Sequence, residues 1–360
     1  MIEPETGVAV TLLGCFHGSK SSAMDVSTCM MTASDSDDDE TQVIVLELCA
    51  SRFDDMRRDM EREATGSTTT PKPWIVRFFN MVVKTIQTRG LSTGLAAALL
   101  GGVSGMQTSL SGLEPGLEFR AAVQHVQEQA AANDDKTPSC DIVLADQNVE
   151  ETLDKVGQLL PISIELWRTF LKEGWEASFG RESDALAKAV LGASSKENND
   201  DDAPSLNLYN FCTRSPESIR DMVRLLVPPV LMLQTIVVVM NQGLAWLQTV
   251  DGLDAELIQA LDVDAAADSL TLSDSAAVFA VNLFILVLGY LSVALPAARV
   301  ILRERDDCLT HGIREACRVA AKKAGEGKRG RVVAVLGLLH VNGIAERLRN
   351  SGSEGEIAES

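Results

Sequence analysis

Val8-Ala9-Val10-Thr11-Leu12-Leu13 runs straight into Gly14-Cys15-Phe16-His17, and Val332-Val333-Ala334-Val335-Leu336 runs straight into Gly337-Leu338-Leu339-His340. Each is a short, β-branched, uncharged run of buried-strand character, closed by a glycine that lets the chain turn and present a histidine just past the strand end. Gln42 to Leu48 (QVIVLEL) is a strand of the same kind, separated from the first by a helical stretch, Ser21 to Thr32. The three runs predict an α/β fold, a central sheet flanked by helices, whose chemistry gathers at the strand ends. Asp141 to Ala145 (DIVLA) supplies another strand.

Helices are expected over Phe53 to Ala64, Trp74 to Thr88, Leu117 to Ala132, from Val149 onward through Trp167 and Trp175, and over Arg303 to Ala324. The acidic run Asp35 to Glu40, the Thr/Pro-rich turn Ser67 to Pro73 and the basic turn Gly325 to Arg331 read as solvated connections. Gly94 to Gly112 is apolar but dotted with Gly and Ser, and reads as helix packing or a loop, not as a membrane span.

Composition narrows the function. The 360 residues carry 32 Lys and Arg against 51 Asp and Glu, a net charge of −19, with only 4% aromatics. Nucleic-acid phosphates demand a basic stripe, so no nucleic-acid partner is expected. Seven scattered cysteines without C-x-x-C spacing suggest neither a disulfide framework nor a zinc ribbon, which favours a reducing compartment. Met1 to Leu12 holds two glutamates and no basic region, so it does not read as a signal or transit peptide. A strand opening this early is also what a chain lacking an N-terminal extension would show.

Two stretches are uncharged throughout, Leu225 to Val250 and Ser275 to Ala298. Each exceeds the roughly 20 residues that a helix needs to cross a hydrocarbon core. The segment between them carries Asp251, Asp254, Glu256, Asp262, Asp264, Asp268 and Asp274 without a Lys or Arg, whereas Arg220, Arg224, Arg299, Arg303 and Arg305 flank the outer ends. Under the positive-inside rule this is a two-helix transmembrane hairpin inserted in the α/β domain, with the main domain on the cytosolic side and membrane lipid as a partner. The expected organisation is an N-terminal part over 1–193, a polar linker and approach to the membrane over 194–218, the hairpin region over 219–302, a C-terminal part over 303–350 and a disordered tail over 351–360. A hairpin returns both ends to one side, so the strands before His17 and His340 can share one sheet.

Glu47 ends its own apolar strand, and a carboxylate there needs a cation or a hydrogen-bonding partner, for which Arg52 is the candidate. Imidazoles and carboxylates converging from separate strand ends suit a divalent transition metal, with Mn, Co or Zn most compatible. His125 and His311 lie among polar helix residues and read as surface histidines. Cys15 and Cys49 flank the proposed pocket, but buried inert cysteine is the commoner state, so a cysteine hydrolase is not expected.

These residues resemble the TraB/PrgY family, which is grouped with the Tiki, erythromycin-esterase-like and ChaN-like proteins. Leu13 to Ser22 with Asp25-Val26 is similar to the family's first block, and Val45 to Phe53 to its second. Glu114 to Ala122 resembles its glycine-glutamate helix start, Val143 to Leu153 its strand and Thr-Leu segment, and Glu304-Arg305-Asp306 with Gly337 to Ile344 its closing blocks. The resemblance implies one pocket formed by the two Gly-x-x-His motifs and the glutamates, which in the Tiki branch supports metal-dependent cleavage of peptides. His17 and His340 would then be metal ligands, Glu47 a ligand or general base, Glu118 a further carboxylate of the pocket and of the metal's ligand set, and Arg52 a group that orients a carboxylate or stabilises an oxyanion. Asp146-Gln147 stands where the family has Asp-Arg, Lys155 stands where an arginine is usual, and Cys15 and Phe16 replace smaller residues. Regulatory and tethering roles in the family imply the alternative, a non-catalytic protein that binds a peptide, signal or partner at a membrane. Mitochondrial outer membrane, plastid envelope and plasma membrane all stay open, as do substrate and oligomeric state.

Overall fold

The computed structural model describes residues 1–34, 41–66, 74–90, 93–94, 113–114, 116–132, 140–192, 215–224, 291–292, 295–324 and 330–354. Its centre is a four-stranded, all-parallel sheet made of β1 (Ala9–Cys15), β2 (Thr41–Leu46), β3 (Cys140–Leu144) and β4 (Gly330–Gly337), in the order β1-β4-β2-β3. The last strand in sequence is thus wedged between the first two, pairing Cys15 with Gly337 on one side and Leu46 with Val335 on the other. Parallel strands require crossovers, and burial on both faces explains why β2 and β4 are nearly continuous apolar runs.

Side-chain alternation along those strands builds two cores. Val43 and Val45 of β2 with Val332, Ala334 and Leu336 of β4 face one layer, formed by α8 (Glu304–Ala324) and α9 (Val341–Glu354). Ile44 and Leu46 with Val333 and Val335 face the other, formed by α1 (Lys20–Ser34), α2 (Ala50–Ala64) and α4 (Leu117–Ala132). Period-2 alternation on a sheet covered on both sides gives this three-layer arrangement. α8 contributes Leu309, Ile313, Ala316, Cys317 and Ala320, an apolar stripe at helical spacing.

A helical annex adjoins these layers. α3 spans Trp74–Arg89, and β3 leads through the cap of Asn148, whose side chain accepts from the Glu150 N–H, into α5 (Val149–Gly157). α6 (Leu159–Glu173), a π turn at Glu176–Gly180 and α7 (Arg181–Leu191) follow, packed around Trp167, Phe170 and Phe179. Leu295–Ala298 and a second π turn, Arg299–Arg303, then feed directly into α8.

The predicted strands and helices lie where the sequence places them, with ends displaced by one to three residues, as at α2, which starts at Ala50 and not Phe53. No helix among the described residues is long and apolar enough to cross a membrane. The stretch 225–290, which holds the first expected span and most of the second, lies outside the described residues, as do 35–40, 67–73, 95–112, 193–214, 325–329 and the tail 355–360. Of the second expected span, residues 291–292 and 295–298 are described, with Leu295 buried against Leu166 and Phe179 and Ala298 against Ala189.

Candidate functional site

All four strands point their C-terminal ends the same way, so the residues just beyond them meet at one edge of the sheet. Glu47 is the first residue past β2, His17 the second past β1, Asp146 the second past β3 and His340 the third past β4. Glu47 is fully buried at the centre of this edge. Its Oε2 accepts a hydrogen bond from the Gly337 N–H, and its Oε1 lies 2.7 Å from Arg305 Nη2. That ion pair is close but not aligned as a hydrogen bond, and Oε1 has no aligned donor.

Two imidazoles surround the same oxygen. His340 Nε2 is 3.6 Å and His17 Nε2 3.8 Å from Glu47 Oε1. The opposite nitrogen of each ring is taken by a buried carboxylate, with His17 Nδ1 2.8 Å from Glu118 Oε1 and His340 Nδ1 2.6 Å from Asp306 Oδ1. An ionised carboxylate only accepts, so where Glu118 and Asp306 are ionised the proton of each contact sits on Nδ1.

Local backbone explains the placement. Gly18 has φ +80°, a conformation L side chains avoid, and its N–H donates to Glu118 Oε2 at 2.9 Å. A Cβ on Gly18 would lie 2.8 Å from the Glu114 carbonyl oxygen. On Gly337 a Cβ would meet His17 Nε2 at 2.7 Å and Glu47 Oε2 at 3.2 Å. The glycines of both Gly-x-x-His runs therefore do different work: Gly337 makes room for the two side chains, and Gly14 lets Leu338 and Val341 approach at 2.9 Å from where its Cβ would be.

The charges are tightly coupled. Burial alone would raise the Glu47 carboxyl, but His17, His340 and Arg305 beside it hold it well below the usual carboxylate range. Desolvation lowers His17, and the carboxylates of Glu118 and Glu47 more than offset it, raising the imidazole to about 9. His17 keeps a half-exposed side chain, so it forms the solvent-facing wall, whereas His340 is buried. Burial raises Asp306 despite the attraction of His340 and Arg347.

The expected residues are brought together with two reassignments of partner. The cation on Glu47 is Arg305, from the first turn of α8, which also grips Asp146 with two bonds of 2.8 Å. Arg52 reaches only Asp146, at 3.4 Å, from a side chain close to half exposed, because α2 carries it away from the strand end to the rim. Glu118 stands behind His17 on Nδ1 and does not converge on Glu47 with the imidazoles. Arg305, Asp306 and Asp146 were missed as site residues, although Asp306 had a signal: it falls on the stripe Leu302, Leu309, Ile313, an acid in core register. His125 bonds Gln129 at 3.0 Å and His311 is exposed, both remote from Glu47 in role. Cys15 and Cys49 are buried beside the pocket.

Among the described residues no group of three or more His, Cys, Asp or Glu side chains is arranged as a metal-holding cluster. A groove of about 730 Å³ lies on the far side of Asp306, between α7, α8 and α9, and reaches neither His17 nor Glu47. No family model matches the chain, and no curated protein or solved structure shows significant similarity to it.

Proposed function

We propose that this chain is a membrane-anchored, TraB-like protein whose sheet-edge pocket is a metal-dependent hydrolase acting on peptides. The observation that carries the reading is the convergence of two Nε2 atoms on one oxygen of Glu47, each ring held from behind by a carboxylate on Nδ1. Carboxylate–histidine pairs of this kind orient imidazoles toward metals. The donor types suit Mn, Co or Zn. Ligands of a tetrahedral ion sit about 3.3–3.5 Å from one another, and each Nε2 stands slightly farther than that from Glu47 Oε1, at 3.6 and 3.8 Å.

His17, His340 and Glu47 would hold the ion, which when bound supplies Lewis-acid polarisation of a scissile carbonyl. Glu118 and Asp306 keep the imidazoles oriented. Arg305 keeps Glu47 ionised, and the half-exposed Arg52 is placed at the rim, where it can orient a substrate carboxylate. The uncharged stretches within 225–298 and their acidic connection support a membrane hairpin with the site on the cytosolic side. In this reading the segment that returns from the hairpin would lead through Arg299–Arg303 into α8, just before Arg305.

Detergent-purified protein reconstituted with Mn, Co or Zn, presented with a quenched-fluorescent peptide library, tests the assignment. Cleavage that is lost in folded His17→Ala and Glu47→Gln variants is expected. Absence of cleavage with all three metals overturns the hydrolase and leaves a second reading, a non-catalytic peptide- or partner-binding protein. That reading is favoured by Arg305, whose guanidinium already sits against the oxygen a metal would use.

A further inference from the structure

His340 is buried, its ring is fixed by one strong contact, and that contact is with a residue of α8 that sequence spacing keeps 34 positions away. Asp306 gives Oδ1 to His340 Nδ1 at 2.6 Å and Oδ2 to Arg347 Nη1 at 3.2 Å. Arg347 is itself held at every nitrogen: Nε lies 2.6 Å from Asp307 Oδ1, Nη1 donates to the Gly343 carbonyl at 3.0 Å and Nη2 to the Arg303 carbonyl at 3.1 Å. Gly343 is where the carboxylate needs space, since a Cβ there would collide with Asp306 Oδ2 and stand 3.0 Å from Arg347 Nη1.

We infer that Asp306, clamped by Arg347 and admitted by Gly343, is the positioning residue that fixes the tautomer of His340 and turns its Nε2 toward Glu47. The inference deepens the reading above, which uses that nitrogen. An imidazole free in water prefers its proton on Nε2, which would leave no lone pair facing Glu47. An acceptor on Nδ1 inverts that preference. The arrangement mirrors Glu118 behind His17, with one difference: Glu118 is anchored by the Gly18 N–H, whereas Asp306 is anchored by a side chain. An ion pair whose task was only to join α8 to α9 would not need Asp306 to share its other oxygen with the ring.

The test reads the ring directly. The full-length, metal-free chain is labelled with ¹⁵N in its four histidines, assigned with a His340→Gln variant, and the two-bond ¹⁵N–¹H correlations are recorded above the titration of the ring. The neutral His340 ring is expected as the Nδ1–H tautomer in the parent, and as mostly Nε2–H in Asp306→Ala. Asp306→Asn, whose carbonyl oxygen still accepts, is expected to restore Nδ1–H. A parent ring protonated on Nε2, or an unchanged tautomer in Asp306→Ala, overturns the inference; the first of these is decisive even where Asp306→Ala does not fold. Titration with Co²⁺ separates the two levels: about 10–100-fold weaker binding in Asp306→Ala is expected, and equal affinity in the two proteins counts against positioning. A parent that shows the Nδ1–H tautomer yet binds no Co²⁺ retains the positioning role and removes the metal reading.

Discussion

At the scale of single residues, the two arginines near the pocket carry very different loads. Arg305 is mostly buried between Glu47 and Asp146, so Arg305→Ala strands two carboxylates that nothing else neutralises as closely. A loss of about 3–5 kcal/mol is expected, the range for breaking a buried pair from one side. Arg52→Ala removes one long, exposed contact and should cost about 0–1 kcal/mol. Denaturant midpoints of the two variants check this, and equal losses would contradict it. Gly337→Ala drives a methyl into His17 Nε2 and Glu47 Oε2, so a loss of about 1–3 kcal/mol is expected. The convergence of His17, Glu47 and His340 was legible in the sequence because each follows an apolar strand within one to three residues. Arg305 was not, and the core register of Asp306 was masked, because Glu304-Arg305-Asp306-Asp307 has the look of a solvated helix start, with acids in the first turn where the dipole favours them. Only the packing of α8 against the strand ends turns two of those four charges inward.

At the scale of elements, strands and the long helices were readable from period and composition, and their order in the sheet was not. Nothing local in Val332 to Leu336 says that this strand inserts between β1 and β2; its extreme apolarity says only that both faces are covered. The π turn at Arg299–Arg303 was equally invisible, since a register shift of one residue leaves no mark on a run such as Arg299-Val300-Ile301-Leu302-Arg303. Two elements make a testable statement about thiols. Burial pushes Cys140 at the start of β3 and Cys317 in α8 up to about 12. Both should resist iodoacetamide at pH 8 in the folded protein, whereas the half-buried Cys29 and Cys308 react before them, as mapped by peptide mass spectrometry. The sign of the accompanying pH effect follows. Below about 9, the unfolded value, both states keep these thiols protonated and the contribution is complete. Between 9 and 12 the unfolded chain sheds protons that the folded chain retains, so stability falls as pH rises. Cys140→Ala and Cys317→Ala should flatten that decline in a pH series of unfolding midpoints.

At the scale of the whole molecule, the sheet joins residues more than 300 positions apart. β1 finds its parallel partner in β4, so among the described residues the first strand gains its neighbour in the sheet only when α8 and β4 have returned. A chain ending at Leu302 should therefore lose its cooperative thermal transition, and a retained transition would show that the helical annex, not the sheet, dominates stability. Such long-range pairing also predicts slow folding. The same return places His340 opposite His17 across Glu47, so the pocket exists only in the completed sheet. The site is assembled from both ends of the chain, so the proposed ion would be held by both ends together. The most direct measurement is the metal content of the purified full-length protein by elemental mass spectrometry, beside a His17→Ala/His340→Ala variant shown to be folded. About one transition metal per parent chain and almost none in the variant is the predicted result. A folded parent that takes up no Mn, Co or Zn after reconstitution would rule out a metal site at this sheet edge.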